Sequence, residues 1–497
     1  MMKKVECMLV AAGVAGLIVG CSSLPSVGPD YKEPEVAAPE AAAPDAGYPT
    51  TNKTATGEFK AAATNEDPRA VITVEGIRAW WGQFNDPVLT NLVEAAVSNN
   101  LSFLVAQENL VQARWALVGS AAAFMPKVTL NGTYTRTGAH SFTSSRWGSG
   151  KAAHGDHWKS GFDATWEIDI FGGTRRAYEA ADASLAAAEC SLENAWVSLT
   201  SEIGTQYISL RTTQERLRVA RANLKLQSET YDILKSRLDS GIGDELAVNQ
   251  AKYNVEQTRA TIPTLLTAEE RCMNALAILS GTMPGTLHAL LRELPDRDWL
   301  VAPQRLESIP LDVMRARPDV LAAERALAAQ VASVGVAESL LFPKFYVNGS
   351  FGLDSVKPYK LFQREAFLAS IGPSFSWPIF QGGNLIANMK AEESKMNAAA
   401  LKYELAVQTA YEETRNAYSA YTQEYHRYQS LQGAVKAATD AVNISQDLYK
   451  NGLADFNNVL DAQRSLLTLE ESLTISRGNI TLNLIALYKA LGGGVAL

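Results

Sequence analysis

Two periods of hydrophobicity share this chain. Between Phe162 and Ile170, apolar Phe162, Ala164, Trp166, Ile168 and Ile170 alternate with Asp163, Thr165, Glu167 and Asp169. A period of two predicts a strand with one apolar and one acidic face. Three more segments alternate less strictly, around Val128, Leu130 and Tyr134, around Phe345, Val347 and Phe351, and around Ile371, Phe375 and Trp377. Elsewhere the period is helical. From Thr174 to Asp239 there is no proline and one interior glycine, Gly204. Leu185, Leu192 and Leu199 fall seven apart, as do Leu210, Leu217, Leu224, Tyr231 and Leu238, with Ile203 and Tyr207 filling the eleven-residue step between the two runs. Such a stutter locally unwinds a left-handed supercoil. A helix of this length spans roughly 100 Å at about 1.5 Å per residue.

The pattern is stated twice. Phe124-Met-Pro126-Lys127-Val-Thr-Leu-Asn131-Gly132-Thr-Tyr134 returns 217 positions later as Leu341-Phe-Pro343-Lys344-Phe-Tyr-Val-Asn348-Gly349-Ser-Phe351. Trp166-Glu-Ile-Asp-Ile-Phe171-Gly172-Gly173 returns as Trp377-Pro-Ile-Phe380-Gln-Gly382-Gly383, and Gly241-Ile-Gly-Asp244 as Gly452-Leu-Ala-Asp455, at offsets of 210 to 211. The period is too long for a solenoid and predicts one fold built from two equivalent halves. The second long helix should run from about Asn384 to Lys450, with Tyr411, Tyr418 and Tyr425 as knobs in a heptad seam. Returning helices follow each turn, the second carrying Leu466, Leu473, Ile480 and Leu487, and the first kinked or broken at Pro263 and stopped by Gly281-Thr-Met-Pro284. The organisation read from the sequence is a signal peptide (1–20), a lipid-anchored Ala/Pro-rich tether (21–75), a first repeat of helix, β-hairpin and long helix pair (76–282), an equatorial connector (283–312) and a second such repeat (313–497).

Segments of about ten residues, apolar outward and polar inward, mark membrane barrels, although a soluble hairpin with one face on a core shows the same alternation. After residue 20 no stretch approaches the length of a transmembrane helix. Four strands cannot close, and open edges in hydrocarbon leave backbone groups unsatisfied. A membrane reading therefore demands oligomers, with eight strands from two chains or twelve from three. It places Asp163, Glu167 and Asp169 in the lumen. The hairpin loops fall at about Gly138 to Gly161 and Asp354 to Phe367, and His154-Gly-Asp156-His157 is read as solvated loop rather than a metal site.

The address favours the membrane. Lys3 and Lys4, an apolar run to Val19, and Gly20 before Cys21 make a secretory signal that resembles a bacterial lipobox, with cleavage ahead of Cys21 and acylation of that residue. Ser22 in the next position resembles outer membrane sorting. The formal charge of −8 becomes −9 once Lys3, Lys4 and Glu6 leave, and an acidic chain without a basic run excludes nucleic acid as a partner. Cys190 and Cys272 lie 51 and 31 residues from the turn near Gly241, too far apart along paired helices for a bridge. Five scattered histidines and no nucleophile constellation argue against an enzyme. No cofactor is called for.

Val27-Gly-Pro-Asp-Tyr31, Trp80-Trp81 with Phe84-Asn-Asp86-Pro87-Val-Leu89, Trp166 to Gly173, Arg317-Pro-Asp-Val320 with Glu324-Arg325, and Val459-Leu-Asp461-Ala-Gln463-Arg464 together resemble the outer membrane efflux proteins of the TolC/NodT type. The lipoprotein start resembles the branch that works with resistance-nodulation-division pumps. The resemblance implies an α+β membrane protein, a trimer whose twelve-stranded β-barrel, four strands per chain, is continued by a coiled-coil helical tunnel into the periplasm. It implies a channel in the Gram-negative outer membrane that passively conducts substrates from an inner membrane transporter and a periplasmic adaptor to the exterior. It maps a periplasmic aperture to Asn457 and Asp461, with a ring of three Asp461, although the family often carries a larger apolar residue where Asn457 stands. It maps adaptor docking to the helical turns, at Gly241, Asp244, Gly452 and Asp455. Locally, Pro318 suits a first helical turn, Gly172 and Gly173 a strand-to-helix bend, and Glu324 with Arg325 a local pair. A lipid-anchored coiled-coil structural or adhesive protein is the rival; it accounts for the heptads but not for the amphipathic hairpins.

Overall fold

The computed structural model describes residues 26–32, 80–138, 154–293, 315–451 and 453–493. The signal segment with Cys21, nearly all of the tether, Gly452, most of the connector and residues 139–153 of the first hairpin loop lie outside the described residues. The chain forms two compact units, one of 1–35, 109–188 and 322–403, the other of 36–108, 189–321 and 404–497.

In the first unit the alternating segments are strands. β1 (Lys127–Gly138), β2 (His154–Ile168), β3 (Lys344–Ser355) and β4 (Phe367–Ser376) form one antiparallel sheet in chain order, with β1 and β4 at its edges. β2 begins at His154, so the segment expected to be solvated loop is ladder instead, with His154, Asp156 and His157 opposite Gly138, Arg136 and Thr135. Cross-strand contacts extend the strand there: the Tyr134 hydroxyl donates to Asp156 at 3.0 Å and His157 lies 3.0 Å from Asp354. Neighbours on a strand face opposite ways, so Asp156 and His157 do not converge; among the described residues no cluster of His, Cys, Asp and Glu is arranged to hold a metal.

β2 stops at Ile168, and this removes Asp169 from the expected lumen. Asp169 is buried, and its carboxylate accepts from the Thr174 and Arg175 amides at 3.1 and 3.0 Å. The reason is the start of α3 (Gly173–Asp239), whose first N–H groups have no intrahelical acceptor and attract an anion. Gly172, at φ +82°, makes the bend. Asp163 and Glu167 remain on the strand, Asp163 accepting from Asn131 at 2.7 Å and Glu167 standing 3.1 Å from Lys344.

The duplication reaches individual hydrogen bonds. Trp166 Nε1 donates to the Phe124 carbonyl at 2.9 Å and its counterpart Trp377 Nε1 to the Leu341 carbonyl at 3.1 Å. Gly382 and Gly383, both with positive φ, repeat the bend of Gly172.

Residues 26–32 lie along this unit. The Val27 amide donates to the Phe171 carbonyl at 3.1 Å, and buried Arg176 bonds the Val27 carbonyl at 3.2 Å and Asp30 at 2.5 Å. Tyr31 donates to Glu324 at 3.1 Å. Glu324 thus accepts from Tyr31 in addition to its expected pairing with Arg325, whose guanidinium lies 4.0 Å away. Helix α6 (Pro318–Ser339) opens on Pro318 as predicted, and against expectation it is long and apolar enough to cross a membrane, with a mean hydropathy of 1.4 over 18 residues. Half of that window is buried within the chain, where its run of Ala and Val packs.

The second unit is helical: α1 (Pro87–Asn99), the start of α2 (Leu101–Ala121), most of α3, α4 (Glu245–Leu279), α5 (His288–Leu291), most of α7 (Asn384–Lys450) and α8 (Phe456–Ala490). Its core gathers Trp80, Leu89, Ile203, Tyr207, Leu210, Met273, Leu276, Ile480, Leu484 and Tyr488. The predicted stripe of α3 is buried at Leu199, Ile203, Tyr207, Leu210 and Leu217. In α7 Tyr403 and Tyr421 are buried, Tyr421 in this core, while Tyr418 and Tyr425 of the predicted series are half-buried against the same core. Tyr421 lies three and four residues from those two, at the centre of the stripe rather than its margin.

α4 runs unbroken through Pro263. A proline removes one donor and crowds the preceding turn, but here Ile262 and Leu265 pack on Leu217 and Ala220, and the Thr267 hydroxyl donates to the Pro263 carbonyl at 2.9 Å. Its end is as expected: Gly281, at φ +72°, is followed by a Thr282 amide that returns to the Ala277 carbonyl at 2.8 Å.

Candidate functional site

The two helical turns close differently. After α3, Gly241 at φ +76° lets its own amide reach the Leu238 carbonyl at 2.9 Å and that of Ile242 reach Arg237 at 3.0 Å. Asp244 then caps α4, accepting from the Leu246 amide at 3.0 Å. At the second turn the Leu453 amide returns to the Leu448 carbonyl at 2.9 Å, but Asp455, at the N-cap of α8, makes no side-chain cap bond and is exposed. Ile242 and Leu453 are equivalent in the repeat, and each is 74% exposed.

Behind the turns a small seam fixes α8. Phe456, Val459 and Leu460 pack with Leu234, Ala247, Val248 and Ala251. These apolar positions turn Asn457 and Asp461 outward, and four residues of spacing put both on one helical face. The predicted aperture pair is therefore exposed and aligned. Asp461 is not a lone carboxylate, because Arg464, three residues on, lies 3.7 Å away. Arg464 Nε donates to Asn254 on α4 at 2.8 Å, and its guanidinium lies 5.5 Å from the centre of the Tyr253 ring.

Asn254 is buried, so the bond that fastens Arg464 is sheltered while the exposed Asp461 pair is screened. Next to this contact, a cleft of about 330 Å³ is lined by Arg216, Gln227, Asn254, Thr258, Arg464 and Glu471. Arg216 bridges its wall to Glu471 at 2.5 Å. Neither Asn254 nor the tethering by Arg464 was singled out from sequence. The available signal was the repeat itself, since Tyr253 and Arg464 are equivalent positions at an offset of 211.

The family model described as outer membrane efflux protein matches residues 92–282 and 312–493. Nodulation protein T of Rhizobium leguminosarum bv. trifolii is 31% identical over 395 residues, which cover 80% of this chain and 83% of that protein. The probable outer membrane lipoprotein SilC of Salmonella typhimurium is 26% identical over 84% of this chain and 88% of its own length. Among solved structures, the outer-membrane channel OprN superposes with a TM-score of 0.81 at 32% identity, covering 94% of this chain and 99% of that one. With two matched segments spanning both repeats and relatives aligned over nearly their full length, the chain belongs to the outer membrane efflux protein family, as a trimeric channel with four barrel strands per chain and a long helical tunnel, the outer membrane component of a tripartite efflux system.

Proposed function

We propose that the protein is a passive conduit whose periplasmic end is closed by Asn457 and Asp461 of three protomers, with Arg464 as the latch. The observation that carries this reading is the geometry at the start of α8: two polar side chains on one exposed face, and on the same helix an arginine fastened at 2.8 Å to buried Asn254 of α4. No bond is made or broken, no enzymatic step or cofactor is involved, and the driving energy comes from the inner membrane transporter. Arg464 offsets much of the Asp461 charge, so cation preference at the aperture is weak. In the barrel, Asp163 and Glu167 face the lumen, with Lys344 neutralising Glu167 at 3.1 Å.

The adaptor docks on the turns at Gly241, Asp244, Gly452 and Asp455, a reading supported by exposed Ile242 and Leu453 beside them. Outer membrane lipid contacts the barrel and holds an acylated Cys21. Cys21 stands five positions before Ser26, a reach of at most about 18 Å from the segment fastened beside the base of β2. Similarity to the lipoprotein SilC supports that anchor. The boundaries proposed from the sequence go with it: signal 1–20, tether 21–75, repeats 76–282 and 313–497, connector 283–312. Nucleic acid is not a partner of this acidic chain. A lipid-anchored scaffold would leave the four-stranded sheet without a role.

Single-channel recording in planar bilayers tests the aperture. Asp461→Ala should raise conductance or the fraction of time open; conductance identical to the parent protein removes Asp461 from the gate.

A further inference from the structure

The edges of the sheet carry more information than their existence. In chain order β1-β2-β3-β4, the outer backbone groups of β1 and β4 have no partner within the sheet. In hydrocarbon each such group costs several kcal/mol, and in a trimer β4 of one protomer must meet β1 of the next. The following inference rests on that trimeric barrel and specifies how the strands meet.

The two hairpins obey one register. β1 pairs Lys127 with Thr165 in β2, and β3 pairs Lys344 with Ser376 in β4. Lys344 stands 217 positions beyond Lys127 and Ser376 stands 211 beyond Thr165, the offsets of the repeated motifs themselves. The junction between hairpins is formed once within the chain, where β2 pairs Thr165 with Asn348, Asp163 with Ser350 and Lys159 with Asp354. We infer that the junction between protomers repeats this intrachain junction at the same offsets, placing Ser376, Ser374 and Ser370 of one chain opposite Asn131, Thr133 and Thr137 of the next.

The chemistry of the faces supports the register. Each of these pairs sets polar against polar, on the face where Asn348 already donates to Ser374 at 2.6 Å and Ser350 meets Ser370 at 2.7 Å. On the other face the register sets Pro373 against Tyr134 and Ile371 against Arg136 of the next chain. A slip of one residue would invert every face, bringing Ser374 against Tyr134. A slip of two keeps the faces and must be separated by experiment.

Disulfide cross-linking separates them, because directly opposed strand residues fall within bridging distance and diagonal ones do not. In the full-length chain carrying Cys190→Ser and Cys272→Ser, Ser374→Cys with Thr133→Cys should give covalent dimers and trimers on non-reducing gels of oxidised outer membranes. Ser374→Cys with Asn131→Cys, or with Thr135→Cys, should give less than about a tenth as much. Asp163→Cys with Ser350→Cys should close within one chain and leave the mass monomeric. A detergent-solubilised trimer that cross-links best at a shifted pair overturns the register alone. A species that is not a trimer by light scattering overturns the register and the barrel closure beneath it.

Discussion

Arg464 and Asn254 stand 210 positions apart, one in each repeat, and meet at 2.8 Å between guanidinium Nε and amide oxygen. The buried partner on α4 holds α8 at the height where Asp461 and Asn457 leave the seam. A hydrogen bond to a charged group contributes about 1.5–3 kcal/mol, and about 1.4 kcal/mol is tenfold in an equilibrium. Asn254→Ala should therefore shift the closed-to-open ratio by roughly tenfold or more toward open, read as open time in planar bilayers. Arg464→Lys, which keeps the charge but not the planar fork, should fall between. Closed times unchanged in both variants would make this contact structural rather than a latch.

Two helical glycines are predicted to resist the usual rule. Gly→Ala in a helix normally stabilises by about 1 kcal/mol. At Gly204 of α3 an added Cβ would collide with the Trp80 ring, and at Gly478 of α8 with the Thr212 side chain, both within the second unit. Overpacking of this kind costs about 1–3 kcal/mol and outweighs the propensity gain. Both alanine variants should lower the apparent unfolding midpoint followed by circular dichroism, whereas Gly433→Ala on α7, where a Cβ meets nothing within 4 Å, should not.

What was legible in the chain was whatever periodicity carries. The alternation around Trp166 and the heptads from Leu199 to Leu217 located strands and buried stripes, because burial repeats at every second or every seventh position. Misreadings fell where one side chain chose between partners. Asp169 continues the alternation on paper yet is taken by the amides that open α3, and the bond from Tyr31 that joins Glu324 beside its expected pairing with Arg325 comes from 293 positions away. Pro263 signals a kink or a break, yet α4 continues through it, where Ile262 and Leu265 pack on Leu217 and Ala220. At the aperture, Asp461 was found by resemblance, but its ties to Arg464 and, through it, to Asn254 depend on two helices lying side by side, which no local pattern encodes.

The segment of residues 26–32 should loosen in acid at its Asp30 contact. Asp30 is held below the ordinary carboxylate range by its hydrogen bond from Arg176 and by that residue's charge. A carboxyl lowered in the folded state contributes stability that is present above its unfolded value, near pH 4, and lost as pH falls through the folded one. Exchange of the Val27 amide, which donates to the Phe171 carbonyl, should be slow at pH 5 to 7 and lose protection below about pH 4, relative to core amides measured at the same pH. Asp30→Asn should abolish that step. A step that survives the substitution would assign it to another group.

The end of α8 tests whether two donors share one task. The Ala490 carbonyl, at the last helical residue, accepts from Arg317 Nη1 at 3.0 Å and lies 3.1 Å from the Thr414 hydroxyl, whose single proton it shares with the Ala410 carbonyl at 2.8 Å. Terminal carbonyls lack intrahelical donors, and a cation there also complements the helix dipole. Arg317 is in turn fixed by Asp319 at 2.7 Å and Glu413 at 2.6 Å. Thr414→Val leaves Arg317 in place and should cost about 1 kcal/mol. Arg317→Met keeps bulk but strands two carboxylates, and since both are partly exposed and can hydrate, the expected cost is about 1–3 kcal/mol rather than the larger penalty of a sealed ion pair. Either variant still satisfies the carbonyl, whereas the double variant orphans it. The double should therefore exceed the sum of the singles by about 1 kcal/mol or more in denaturant unfolding. Strict additivity would mean that the two donors act independently, and the shared-acceptor account of this helix end would fall.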